Sequence, residues 1–378
     1  MRLLRSRTGI TLLALVIATL AAVRLLAFFG WDPTVFTAFG AEAAATTTYG
    51  EAKLGREVLT RPHQGHDGKF FFVLANDPLL LEPERNAEVM DDRPVYRSQR
   101  MLYPLIAGGV GLFPPSAIVW ALPAVNVLAL ALGSWAVASI ATRHGAPAWV
   151  GLAFVLNIGL LSELFIDGAG ILAFSLACLG ALALEDERHL AAAAAFTGAV
   201  LTREVMAIFV AFIALFWLIR RRAVLWRVAI PPAVALLAWA GYVRLRIDAE
   251  PASGYWRELD IAPFMGLIDS LTAGVGNYVD YLVIGIFVVL IFLIPYRAWR
   301  SDVYLTWGAV GFALLGPFLT WFVWQKSFDI SRALAPLATV FLLEFVLARQ
   351  RRRRPDSALE PRDNFRSNRR DPISRQYL

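Results

Sequence analysis

Long, continuous apolar runs separated by short polar segments make up most of this chain. Most runs approach the roughly 20 residues that an α-helix needs to cross a hydrocarbon core. They are continuous rather than alternating residue by residue, which favours helices over the strands of a membrane barrel. The pattern predicts an all-α polytopic membrane protein with about ten transmembrane helices, at residues 8–29, 115–141, 147–165, 168–184, 189–201, 204–219, 227–244, 277–296, 302–322 and 332–348.

The polar segments between these runs indicate how the chain is oriented. With the N-terminus in the cytoplasm, the cytoplasmic connections are mostly basic, as the positive-inside rule expects, at 143–144, 185–188, 220–222 and 296–300. The opposite side then collects the polar clusters at 30–100, 167–168, 202–204 and 325–332. Residues 101–113 are apolar but too few for a span, so we expect a re-entrant or interfacial helix there. If that segment did cross the membrane, every later loop would lie on the opposite side, and the basic loops would be external.

Composition supports the membrane assignment and locates the net charge. The 378 residues are 58% hydrophobic and 17% charged, whereas a soluble domain carries about a quarter charged residues. The net charge of +6 is contained in residues 349–378, where ten arginines face four acidic residues. We therefore expect a disordered cytoplasmic tail that contacts anionic membrane lipid, and no nucleic-acid partner.

The single cysteine, Cys178, permits no disulfide within one chain.

The first apolar run, preceded by Arg2, Arg5 and Arg7, has the general form of a signal peptide. It is too long for the apolar core of one, and no convincing small-residue cleavage site follows it, which predicts an uncleaved first span. The predicted organisation is a transmembrane domain at 1–348, with an external loop at 30–114 that carries juxtamembrane helices, and the tail at 349–378.

The external loop offers most of the room for chemistry in water. In it, His66-Asp67-Gly68 precedes the aromatic run Phe70–Phe72, and the run stops before Pro78. This predicts a short helix in the membrane plane, with its aromatic side in the interface and Asp67 facing an outer cavity. Further on, Arg93, Arg97 and Arg100 are spaced to share one helix face.

Charged residues also interrupt the apolar runs. Thr202-Arg203-Glu204 divides the run from Leu190 to Leu218, so that stretch is either one long helix with a buried ion pair or two short helices. Charges at a membrane boundary are costly enough to suggest a function. Glu163 and Glu344 also lie within or near apolar runs, with no partner evident from the sequence.

Four short motifs resemble the GT-C superfamily of membrane glycosyltransferases, and in detail bacterial mannosyltransferase-like members. They are His66-Asp67-Gly68 before the aromatic run, the segment Tyr96–Pro104, Thr202-Arg203-Glu204, and Asp329-Ile330-Ser331-Arg332. The resemblance extends to about residue 348. It implies a GT-C-like bundle with a large first external loop, in the bacterial cytoplasmic membrane. It also implies transfer of a sugar from a polyprenyl-phosphate donor to a lipid or glycan acceptor on the outer face.

By that resemblance, Asp67 is the base that deprotonates the acceptor hydroxyl. Displacing a lipid phosphate also requires positive charge on the leaving side, and arginine forks can supply it without a metal. The candidate phosphate-binding residues are Arg97, Arg100, Arg203, Arg332 and Lys326. The candidate substrate-binding or supporting residues are His66, Tyr96, Gln99, Asp167, Glu204 and Asp329.

Other interpretations stay open at this point. Asp67 could be a turn or helix-cap residue, Arg203 and Glu204 could pair with each other, and Asp329 could pair with Arg332 at i, i+3. His63 and His66 with Asp67 are a weak signal for a divalent metal. As a class, a lipid or saccharide flippase or a non-catalytic envelope-assembly protein would also suit the pattern. A transporter would show internal repeats and broken helices, and no repeat between the two halves is apparent.

Overall fold

The computed structural model describes residues 3–90, 93–221, 225–248 and 259–353. Helices dominate this part of the chain. The N-terminal half contains α1 Arg7–Phe28, α2 Thr34–Thr37, α3 Ala44–Leu54, α4 Gly68–Asn76, α5 Pro83–Val89, α6 Pro94–Ser98, α7 Leu102–Ala107, α8 Pro115–Arg143, α9 Leu152–Val155, α10 Ile158–Leu164 and α11 Gly170–Glu185. The remainder contains α12 His189–Thr202, α13 Met206–Phe216, α14 Trp226–Arg246, α15 Met265–Ala273, α16 Tyr278–Ala298, α17 Tyr304–Leu315, α18 Trp321–Trp324, α19 Ser327–Ala333 and α20 Ala335–Arg353.

The other regular elements of the described chain are small. Two-residue strands β1 Phe39–Gly40 and β2 Thr60–Arg61 pair in parallel. A single π-helical turn at 217–221 extends α13. Short 3-10 turns lie at 3–5, 109–111, 148–151 and 316–318. The predicted all-α class is therefore correct for the described residues.

Four helices, α1, α8, α14 and α16, are long and apolar enough to cross a membrane, and α19 with α20 adds a fifth candidate bent by 69°. The prediction of ten spans is not confirmed within the described residues. The helices α11, α12, α13 and α17 have 11 to 16 residues, which at about 1.5 Å per residue is shorter than a hydrocarbon core of about 30 Å.

The predicted span at 147–165 is broken into a 3-10 turn, α9 and α10. The break occurs at Asn157, whose side-chain oxygen accepts from the Gly159 amide at 3.0 Å and thereby starts a new helix. The Asn157 amide group donates to the carbonyl of Ala335 and the hydroxyl of Thr339. Hydrogen bonds to α20 thus satisfy the polar side chain of Asn157, whose partners a hydropathy pattern cannot identify.

The stretch around residue 203 forms two helices rather than one. Arg203 has an extended backbone between α12 and α13, so the two-helix alternative is correct. The segment 101–113 contains only the six-residue α7 and a 3-10 turn with Val110 at positive φ, and cannot cross a membrane as one helix.

The loop at 30–114 folds over the helix that follows Asp67. The aromatic side chains of α4, at Phe70, Phe71 and Phe72, are 4% exposed or less. Phe71 packs edge-on against Tyr103, and Phe72 against Phe39. The expectation that this aromatic side lies in the membrane interface is therefore wrong, because the loop's own elements cover it.

The C-terminal half of α14 holds the loop in place. The Trp239 indole donates to the carbonyl of Ser98 at 3.0 Å, and the Tyr242 hydroxyl donates to that of Leu79 at 2.7 Å. Arg246 donates to the Leu80 carbonyl. The predicted basic tail begins within α20, and residues 354–378 lie outside the described part of the chain.

Candidate active site

Asp67 lies directly before α4, and the next residue, Gly68, lies close to three backbone carbonyl groups. A Cβ at Gly68 would lie 2.6 Å from the carbonyl oxygen of Ile166 and 2.8 Å from that of Thr37. Only glycine fits there without displacing backbone, which explains the Asp-Gly pair. The Asp67 carboxylate makes no capping hydrogen bond to α4. It faces arginines from other segments instead.

Three guanidinium groups surround the Asp67 carboxylate. Arg97 Nη1 lies 2.6 Å from its Oδ1, while Arg332 Nη2 and Arg100 Nη1 lie 3.4 Å and 3.8 Å from its Oδ2. Arg97 belongs to α6 and Arg332 to α19, so the fold brings together residues that are 265 positions apart. The structure therefore places the predicted acid within ion-pair distance of three of the predicted arginines.

A second carboxylate, Glu163, joins the remaining predicted arginine to the group. Its side chain is 2% exposed. Glu163 Oε1 lies 3.0 Å from Arg332 Nε and 3.5 Å from Arg203 Nη1, and its Oε2 accepts from the Gly170 amide at 3.0 Å. The sequence-based site did not include Glu163. The available signal was a single carboxylate within an apolar run, which is rarely tolerated without a partner.

Arg100 and Glu204 form a two-pronged ion pair. Arg100 donates from Nε at 3.1 Å and from Nη2 at 3.0 Å to the two carboxylate oxygens, a geometry that is stronger than a single contact. Arg100 also donates to the hydroxyl of Tyr96. Arg203 and Glu204 therefore pair with different partners, and the alternative in which they pair with each other is not what the structure shows.

The remaining predicted residues divide into those near the group and those away from it. Asp329 pairs with Arg332 at 3.5 Å, as the i, i+3 spacing indicates. Gln99 lies at the C-terminal end of α6, beside Arg100. The Lys326 ammonium donates to the carbonyl of Val275 at 3.1 Å. Within the described chain it forms no ion pair with these acids.

We use the term arginine–carboxylate cluster for the following eight residues: Asp67, Arg97, Arg100, Glu163, Arg203, Glu204, Asp329 and Arg332. Aromatic rings lie against its guanidinium groups. Arg97 lies 4.3 Å from the ring centre of Phe70, and Arg332 lies 5.0 Å from that of Phe328. Such stacking holds the planar groups in fixed orientations and favours the charged form.

Asp167 lies near this cluster but has a different environment. Its side chain is fully buried, and neither carboxylate oxygen has a hydrogen-bond partner in the described part of the chain. Burial raises the pKa of the Asp167 carboxyl well above its usual range, because an unpaired charge is costly in a low dielectric. A predicted supporting role in substrate binding would require access that the side chain does not have in this state.

The two histidines of the loop have different partners. His63 is exposed and lies 3.2 Å from Glu42, whereas His66 packs against the ring of Phe328. Burial, together with the charge of Arg332, lowers the pKa of His66. No set of three or more His, Cys, Asp or Glu side chains within the described ranges could hold a metal ion.

Charge within the cluster determines how Asp67 is ionised. Burial acts to raise its pKa, but the positive charges of Arg97, Arg332 and Arg100 outweigh that effect and hold the pKa well below its usual range. Asp67 is therefore a carboxylate at ordinary pH. A carboxylate this strongly paired is a weak base until a guanidinium moves to another anion.

No family model, curated protein or solved structure matches the chain. The chemistry of the site therefore rests on its own geometry.

Proposed function

We propose that this protein is a GT-C-type membrane glycosyltransferase. It transfers a sugar from a polyprenyl-phosphate donor to a hydroxyl of a lipid or glycan acceptor, with inversion at the anomeric carbon. The observation that supports this most is the convergence on Asp67 of three arginines from two distant segments, at 2.6 to 3.8 Å. A partly exposed acid beside clustered guanidinium groups supplies what such a displacement requires.

In the proposed reaction, the acceptor oxygen attacks the anomeric carbon from the face opposite the phosphate. Asp67 takes the hydroxyl proton, and the bond between the anomeric carbon and the phosphate oxygen breaks. The bonding electrons leave with the lipid phosphate, whose added negative charge the arginines stabilise. Arg332 and Arg203 suit this role because each side chain is partly accessible, at 12% and 20% exposed.

The low pKa of Asp67 gives the donor a second effect in this mechanism. A phosphate that draws Arg332 away from Asp67 removes part of the positive charge that holds the pKa down. The carboxylate then becomes a stronger base only when donor is bound. Proton removal is thereby coupled to the presence of a leaving group.

The proposed orientation places the arginine–carboxylate cluster at the outer face of the bacterial cytoplasmic membrane, with both termini in the cytoplasm. Support comes from arginines at the other end of the helices. Arg143 ends α8, and Arg220 stacks on Trp299 just beyond α16. Basic residues concentrate on the cytoplasmic side of membrane proteins.

Transport is the second candidate, and one observation favours it. The apolar pair α19 and α20 is bent by 69°, and α19 carries both Asp329 and Arg332. Broken helices that present charged groups are typical of transporter binding sites. A flippase for the same lipid-linked sugar would use the cluster to hold the phosphate without reaction.

One experiment separates the two functions. The purified protein is reconstituted in vesicles with radiolabelled polyprenyl-phosphate sugars and a membrane-extract acceptor, with protein-free vesicles as the control. Glycosyl transfer predicts label in a new product and release of the polyprenyl phosphate. Movement of label across the bilayer with no new product would contradict the transferase proposal and support transport.

A further inference from the structure

A second site lies at the other end of the α11–α12 hairpin. There, a cavity of about 800 Å³ opens between the turn before α12 and the start of α14. Its lining includes Arg188, His189, Leu190, Trp226, Arg227 and Ile230. The 14 residues of α12 separate it from Arg203, or about 20 Å at the helical rise per residue.

The acidic residues of the same turn are mostly paired away from the cavity. Asp186 lies 2.7 Å from Arg143, and Glu185 lies 3.1 Å from His144. Glu187 remains in the cavity lining as one negative charge, together with the two positive charges of Arg188 and Arg227. Neither of those two arginines has an ion-pair partner among the residues that the structure describes. The cavity wall therefore carries an excess of positive charge.

Two helix N-termini add to this positive field. Both α12 and α14 begin at the cavity, and neither has a side-chain hydrogen bond capping its first amides. Uncapped amide groups and the helix dipole favour an anion at such a position. The two arginines and the two helix ends thus all favour a bound anion in the cavity.

An apolar stripe runs from the cavity along α14. Trp226, Ile230, Val234 and Leu237 recur at intervals of four, four and three, and are 51% to 72% exposed. Residues at this spacing share one helix face. The helix is among those long and apolar enough to cross a membrane. A ligand with an anionic head and a hydrocarbon chain matches this combination.

We propose that the cavity is a binding site for an anionic membrane phospholipid. The phosphate lies between Arg188 and Arg227 at the two helix N-termini, and an acyl chain follows the exposed stripe of α14. The guanidinium of Arg227 is held over the Trp226 ring at 5.4 Å, which keeps it at the cavity mouth. This site is separate from the proposed donor site and is independent of glycosyl transfer.

The test measures lipid binding to the purified full chain in detergent by native mass spectrometry. Titrations use phosphatidylglycerol, phosphatidylcholine and inorganic phosphate. The double variant R188Q/R227Q is compared with R297Q/R300Q, which removes two arginines beyond the lining, at the end of α16. The charge-neutral variant Ala191→Trp fills the cavity. Thermal unfolding checks that every variant is folded.

We expect wild type to bind phosphatidylglycerol more tightly than phosphatidylcholine. R188Q/R227Q should lose about tenfold or more in affinity, because each arginine near an anionic lipid contributes about 1 kcal/mol. Ala191→Trp should also lose affinity, and R297Q/R300Q should change it less than about threefold. Equal losses in the two double variants, or binding of inorganic phosphate as tight as that of lipid, would overturn the proposal.

Discussion

The two ends of the α11–α12 hairpin use arginine in opposite ways. At the Asp67 end, each of the four guanidinium groups faces at least one carboxylate, and Glu163 is almost completely buried. At the Arg188 end, Asp186 and Glu185 pair with Arg143 and His144, and two arginines line an open cavity.

This contrast shows that partners, rather than the number of charges, determine what an arginine can do. Buried, matched charges are held in fixed positions, which suits an active site that must be preorganised. Exposed charges beside an apolar stripe remain available for a membrane anion. Variants at the Asp67 end should therefore lose stability, whereas variants at the Arg188 end should keep stability and lose lipid binding.

Arg332→Gln should be the most destabilising of these changes. It leaves the buried Glu163 with the 3.5 Å contact to Arg203 as its only ion pair in the described chain, and it removes one partner of Asp67. Loss of one member of a buried ion pair costs about 3 kcal/mol or more. The free energy of unfolding in mixed micelles is measured for Arg332→Gln, for Glu163→Gln and for the double variant. Together with wild type, these proteins form a double-mutant cycle. Additive effects of the two changes would show that the pair is not coupled.

Asp167→Asn should change how stability depends on pH. The folded carboxyl keeps its proton to a higher pH than the unfolded one. The folded state is therefore favoured most below the ordinary Asp pKa and loses stability as pH rises toward the folded pKa. Wild type should lose stability relative to the variant as pH rises above about 4, the ordinary Asp pKa, by at most about 1.4 kcal/mol per pH unit. Asparagine also tolerates the positive φ at this position. Parallel stability curves for the two proteins would contradict the assignment of a protonated Asp167.

R188Q/R227Q should have the smallest effect on folding. Both side chains are exposed and have no ion-pair partner in the described ranges, so in lipid-free detergent the change should stay within about 0.5 kcal/mol. Added phosphatidylglycerol should then stabilise wild type more than the variant. A large loss of stability without lipid would mean that these arginines support the fold itself.

Part of the candidate site could be predicted from sequence, because charge patterning assigns loops to one side of a membrane. That rule placed Asp67, Arg203 and Arg332 together, and the structure shows them within one connected set of ion pairs. Glu163 could not be assigned in the same way, since its partners are contributed by distant segments. Lys326 has the right charge but points to a backbone carbonyl instead.

The number of spans was harder to predict than the helical class. Hydropathy detects apolar composition but not where a helix breaks. The break at Asn157 coincides with hydrogen bonds to α20, and a 69° bend separates α19 from α20 within one apolar run. Likewise, the aromatic run of α4 predicts an apolar surface but not what covers it. Its three phenylalanines pack inside the protein.

The central proposal, that Asp67 is the catalytic base, is tested most directly by single-turnover transfer with Asp67→Asn and Asp329→Asn. Both changes remove one negative charge beside Arg332, so they serve as a matched pair. We expect Asp67→Asn to lower the transfer rate about 1,000-fold while donor binding is kept or tightened. Asp329→Asn should stay within about tenfold of wild type. Transfer by Asp67→Asn at a rate equal to that of Asp329→Asn would contradict the proposal.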